Sequence, residues 1–149
     1  HVQADSVISC TNAEYQNSRG YKLHLGVVMA ASLLHDIAKG EKEHARKGSQ
    51  LVARLGYPEV AAVIDSHMTL APEHQNQINE TTIVYLADKL VIGHRTVSLD
   101  EKLESRLKEF NEESAQQGAR ERIGQAMAIQ KQIEHVLGLK LEDILKEQR

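Results

Sequence analysis

An all-α fold is what this sequence predicts, as a single-domain helical bundle of about 6–8 helices. Three observations predict it. Apolar residues recur at helical spacing almost throughout, with no clear period-2 alternation to compete. Prolines number only 2, and aromatics make up 3% of the chain. A length of 149 residues with 41% hydrophobic content suits one domain with a sizeable core.

The elements follow in order. Residues 1–17 form a first helix, broken at Asn17-Ser18-Arg19-Gly20. Leu25 to Ala38 is apolar nearly all round, which predicts a helix central to the core. Lys39-Gly40 ends it, with Gly40 suited to the left-handed position after a helix. His44 to Leu55 is a third helix, closed by Gly56. Pro58 suits the first turn of a fourth, which runs to about Met68. Residues 69–78 read as an exposed loop, and a fifth helix runs from about Glu80 to Ile92. Gly93 to Val97 is a turn. Ser98-Leu99-Asp100-Glu101 reads as a capping box opening a helix to about Phe110. Ser114 to Gln117 reads as a second box, opening a long helix to about Leu137; Gly138 ends it before a short amphipathic tail.

Bulk properties exclude several functions. A formal net charge of -3 argues against general nucleic-acid binding. No apolar run is long enough to span a membrane. The single cysteine, Cys10, excludes an internal disulfide and a thiolate zinc cluster, and points to a reducing cytoplasm. The chain opens on His1 rather than Met, which fits a piece of a larger chain. Whether it forms a homodimer is left open.

The chemistry lies where polar residues interrupt apolar runs. His35-Asp36 closes the run from Leu25 to Leu34. Burying an imidazole and a carboxylate together is costly unless partners or a metal satisfy both. Asp88 repeats the anomaly within Ile83 to Val91. The simpler readings are a core histidine hydrogen-bonded to Asp36, and an ion pair from Asp88 to Lys89 or Arg95. His1 is a third candidate, at the start of an amphipathic helix.

His1, then His35-Asp36, then Asp88 resembles the H…HD…D signature of the HD superfamily of metal-dependent phosphohydrolases. The local text agrees: Leu33-Leu34-His35-Asp36-Ile37-Ala38-Lys39 is similar to that family's "LLHDIAK" segment, and Leu86-Ala87-Asp88-Lys89 to its "LADK" segment. The resemblance covers about residues 1–95. It implies an HD metal-binding core over residues 1–97, with residues 98–149 as helices packed on it within the same domain. It also implies that His1, His35, Asp36 and Asp88 bind one metal. His44 and His67 match the extra histidines of two-metal subfamilies, in which the aspartate of the HD pair bridges; Asp36, His44 and His67 would then hold a second ion. Their plainer readings are a solvated helix start and a helix-end cation.

The implied cofactor is one or two divalent transition-metal ions (Fe, Mn, Co, Ni or Zn), since the donors are imidazole and carboxylate without sulfur. The implied activity is hydrolysis of a phosphate ester or phosphoanhydride by a metal-activated hydroxide, with Asp36 central to the chemistry. Lys39, after His35, and Arg95, past the Asp88 helix, could bind substrate phosphate, Lys39 at the reacting group; each could equally be an ordinary cation at a helix C-terminus. The substrate implied is a small phosphorylated, nucleotide-like compound. The histidine complement resembles that of HD enzymes that split dinucleoside polyphosphates. The text around Gly56-Tyr57-Pro58-Glu59-Val60 is closer to HD domains fused behind a molybdenum-cofactor-type nucleotidyltransferase. Two other readings stand: a non-catalytic metal-binding regulatory or interaction module, and a two-iron oxygenase. His24, His74, His94 and His135 carry no motif and read as surface or loop residues.

Overall fold

In the computed structural model, residues 4–146 are described. They form eight α-helices and one two-stranded hairpin, an all-α architecture as the periodicity predicts. The helices are α1 (Ala4–Ser18), α2 (Leu25–Leu34), α3 (His44–Arg54), α4 (Pro58–Asp65), α5 (Glu80–Lys89), α6 (Leu99–Glu109), α7 (Glu113–Leu137) and α8 (Leu141–Lys146). No helix among the described residues is long and apolar enough to cross a membrane.

α5 is the axis of the core. Seven consecutive residues, Thr81 to Ala87, are buried, and α1, α2, α4 and α7 all pack on the helix. Its start is fixed by a capping box: the Asn79 side chain accepts from the Thr82 N–H, and the Thr82 hydroxyl accepts from the Asn79 N–H. α7 lays a buried stripe of Ala119, Ile123, Ala126, Ile129, Ile133 and Leu137 over the core at helical spacing. Each fully buried aliphatic side chain contributes roughly 1.5–3 kcal/mol. Tyr85 ties the two helices together, its hydroxyl donating to the Arg122 carbonyl at 3.0 Å.

Several boundaries differ from the sequence expectation. α2 stops at Leu34, and residues 35–40 continue as tight turns, with Ile37 N–H donating to Leu34 O and Lys39 N–H to Asp36 O. α2 is also less central than its composition suggests. Val27, Val28, Ala31 and Ser32 are buried, while Leu25, Met29 and Leu33 leave 38%, 51% and 42% of their surface exposed. Hydrophobicity on every side names no single buried face.

The expected 69–78 loop contains a 3₁₀ turn, Pro72–His74, and anchors itself through buried Leu70 and Ile78. α5 ends at Lys89 because Val91–Ile92 (β1) turns back through Gly93, at φ +63°, to pair with Arg95–Thr96 (β2). Neither expected capping box closes fully. Ser98 caps α6 by accepting from Glu101 N–H, but the Glu101 carboxylate is held by Arg95 instead of returning to the cap. α7 begins before Ser114, and Gln116 instead donates back to the Phe110 carbonyl, closing the α6–α7 turn.

Candidate metal centre

The end of α2, the turn after it, and α1, α3, α4 and α5 converge on one cluster. His35 supplies its centre. It is 3% exposed, and its Nδ1–H donates to the Ser32 carbonyl at 2.7 Å. A carbonyl only accepts, so this bond puts the proton on Nδ1 and aims Nε2 inward. Three carboxylates surround that nitrogen at 3.2 Å: Asp5 Oδ2, Asp36 Oδ2 and Asp88 Oδ1.

His67, just past the end of α4, repeats the device. Its Nδ1–H donates to the Ile64 carbonyl at 2.7 Å. Its Nε2 is buried without a hydrogen-bond partner among the described residues, and Asp36 Oδ1 stands 3.6 Å away. His44, the first residue of α3, points its Nε2 at the same oxygen from 3.7 Å. Gly48 permits this approach: one turn along α3, a Cβ there would lie 3.1 Å from Ile37 Cγ2, in the turn after the His-Asp pair.

Asp36 therefore divides its two oxygens. Oδ2 faces His35 and Oδ1 faces His44 and His67. Asp88 also uses both oxygens, one toward His35 and one accepting from Lys89 Nζ at 3.0 Å. The ion-pair reading of Asp88 and the ligand reading are thus compatible. Lys89 is itself buried, donates to the His67 carbonyl at 2.8 Å, and lies over the Tyr85 ring.

The charges follow from these contacts. Burial works against a charged His35, but hydrogen bonds to Asp36 and Asp88 outweigh it and raise its pKa to about 10. The His35 hydrogen bond holds Asp36 well below the usual carboxylate range. For Asp88, burial is overcome by the Lys89 charge and His35, and its pKa is lowered. Burial raises Asp5. Burial, then the nearby His67, lowers His44 and favours its neutral, ligating form.

A metal fits this donor set. The candidate ligand atoms of His35, Asp36 and His67 lie within 4.8 Å of one another, as do those of Asp5, His35 and Asp88. An unsatisfied buried Nε2 such as that of His67 costs about 1–3 kcal/mol, which a cation would offset. Metal-ligating histidines characteristically donate their other ring N–H to a carbonyl or carboxylate, as both rings do here.

A family model for the HD domain matches residues 13–93. The chain belongs to the HD domain family. Nothing among curated proteins or solved structures matches it. The HD match contains His35, Asp36, His44, His67 and Asp88, the five expected ligands that the structure brings together. His1, the sixth, lies outside the described residues.

The substrate-facing expectations divide. Lys39 lines a cleft of about 510 Å³ together with His35, Asp36 and Asp88. Arg95 does not line it: the hairpin turns its side chain outward, 65% exposed, to Glu101 at 2.6 Å. Lys102 and Arg106 of α6 line the cleft instead, both outside the HD match. Lys102 is 6% exposed and donates to the Val91 carbonyl, so burial lowers its pKa. His94, expected as a loop residue, also lines the cleft. His24 has a local duty: its ring caps α2 by accepting from Val27 N–H.

Sequence reasoning missed Asp5, Lys102 and Arg106. Asp5 stands four residues after His1, the spacing of neighbours on a helix. Lys102 and Arg106 share that spacing on α6.

Proposed function

We propose that this HD domain hydrolyses a phosphate ester or phosphoanhydride of a nucleotide-like compound, using water activated at a two-cation centre. The observation that supports it most is the matched pair His35 and His67. Each ring is fixed by a backbone carbonyl so that Nε2 faces a shared carboxylate, Asp36. Bound divalent ions would supply Lewis-acid activation of water and neutralise the attacked phosphoryl group.

The side chains around them have distinct roles in this reading. Asp36 bridges the two positions. Lys89 holds Asp88 ionised and keeps one of its oxygens free to ligate. Lys39, at the cleft wall, meets a phosphate oxygen as a point charge. Arg106, half-exposed on the same wall and paired through Nη1 with Glu109 at 2.8 Å, offers the rest of its guanidinium to a second phosphate oxygen. No protein nucleophile is required. The cleft volume lies within the range of small-molecule sites. The nucleotide-like class rests on the resemblance to HD domains that act on, or are fused to enzymes of, nucleotide chemistry.

The test is a screen of nucleotides, dinucleoside polyphosphates and simple phosphate monoesters, with protein stripped by chelator and reloaded with Mn²⁺, Fe²⁺, Co²⁺, Ni²⁺ or Zn²⁺. Phosphate release that depends on reloading supports the reading. Stoichiometric metal with no hydrolysis under any loading would favour a metal-binding module.

A further inference from the structure

We infer that Asp5 is a ligand of one of the two metal positions, and that the two positions therefore differ in donor chemistry. This rests on the metal-dependent reading above. Asp5 lies outside the matched HD segment, and the H…HD…D pattern has no place for it. The fold nevertheless carries it into the cluster. It sits in the first turn of α1, 7% exposed, with Oδ2 3.2 Å from His35 Nε2. That equals the distance from His35 to Asp88, and the three donor atoms lie within 4.8 Å of one another. The cluster is not merely acidic: it includes the His35 imidazole, and His35 is shared with a second group, His35, Asp36 and His67, in which the buried His67 Nε2 faces Asp36 Oδ1 without a hydrogen-bond partner among the described residues.

His35 can serve only one ion, since its Nδ1 proton is committed to Ser32. Among the described residues, one position then draws on Asp5, His35, Asp88 and one oxygen of Asp36, three carboxylates and one imidazole; the expected ligand His1 lies outside them. The other is formed by the second oxygen of Asp36 with His44 and His67: one carboxylate and two imidazoles. Carboxylate-rich sites suit harder ions such as Mn²⁺, whereas imidazole-rich sites suit Zn²⁺, Ni²⁺ or Fe²⁺. Asp5 makes the first position the harder of the two.

Calorimetric titration of the chelator-stripped chain with MnCl₂, and separately with ZnCl₂, tests this in wild type and Asp5→Asn. The expected result is Mn²⁺ binding weakened at least tenfold at one position, with Zn²⁺ binding at the other changed less than about twofold. Unchanged Mn²⁺ binding overturns the assignment, as does a wild type without Mn²⁺ preference at either position. Circular dichroism of the metal-free variant checks folding. Should Asp5→Asn not fold, Asp5→Glu replaces it: the longer arm displaces the oxygen, so an unaltered Mn²⁺ affinity overturns the ligand role and a weakened one supports it. Hydrolysis is not read here. A wild type that binds both ions yet turns over nothing would defeat the phosphohydrolase reading alone, and leave Asp5 as a ligand.

Discussion

His35 and His67 face opposite oxygens of one carboxylate. His35 Nε2 lies 3.2 Å from Asp36 Oδ2, and His67 Nε2 lies 3.6 Å from Asp36 Oδ1. Both rings spend their Nδ1–H on a carbonyl three residues earlier, each at 2.7 Å. Rings locked in this way cannot turn to find other partners. They are held as Nε2 donors, with Asp36 between them.

The His67 side of this pair predicts an asymmetric loss. His67→Ala removes one of the two imidazoles facing Asp36 Oδ1 and leaves the His35 side intact. The variant should retain one of two metal equivalents by elemental analysis. Removal of both equivalents would show that the positions do not bind independently.

His35 predicts a pH dependence. Its pKa is raised from an ordinary 6.5 to about 10 in the metal-free fold. A raised pKa means that the stabilisation is fully present below about pH 6.5 and is lost as pH rises through about 10. In chelator, the advantage of wild type over His35→Gln in thermal unfolding should shrink across that window. A metal ion must displace the same proton, so affinity should rise about tenfold per pH unit below that pKa. A wild-type advantage that stays flat from pH 6.5 to 10 would show that His35 carries no extra proton.

Lys89 predicts a stability effect separate from metal binding. It is buried, bonded to Asp88 and to the His67 carbonyl. Breaking one side of a buried ion pair leaves the other charge uncompensated, at about 3–5 kcal/mol. Asp88 retains partial solvent access and the His35 contact at 3.2 Å, so Lys89→Met should destabilise by less than that range, about 2 kcal/mol, in denaturant titration with chelator present. A change below about 1 kcal/mol would mean that Asp88 is satisfied without it.

Lys39 predicts a kinetic effect without a metal effect. It lines the cleft beside Asp36 but lies outside both ligand groups. Lys39→Ala should lower kcat/KM for a phosphorylated substrate by roughly tenfold or more, the value of one charge-assisted hydrogen bond. Metal content should stay unchanged. Metal loss in this variant would place Lys39 in the architecture of the centre rather than in substrate binding.

Part of this was legible in the sequence. His35, Asp36 and Asp88 stood out because polar residues interrupt apolar runs, and the structure gathers all three. His44 and His67 lie in mixed surroundings, and only the family pattern singled them out. Asp5 did not stand out because α1 buries many small polar residues, among them Ser6, Ser9, Thr11 and Asn12, so one more polar residue carried no contrast. Lys102 and Arg106 looked like the solvated face of a charged helix, and only the packing of α6 beside the cleft changes that. Arg95 sits away from the cleft for a topological reason: a helix carried to Ile92 would have kept it near Asp88, but the short hairpin at 91–96 turns it toward Glu101. Two-residue strands are too short to leave a period in the sequence.

A bridging Asp36 between two metal positions is tested most directly by the metal content of Asp36→Ala. Reloaded with excess Mn²⁺ or Zn²⁺ and desalted, wild type should carry two equivalents and the folded variant close to none. An Asp36→Ala protein that keeps both equivalents would contradict the bridge and the two-cation centre built on it.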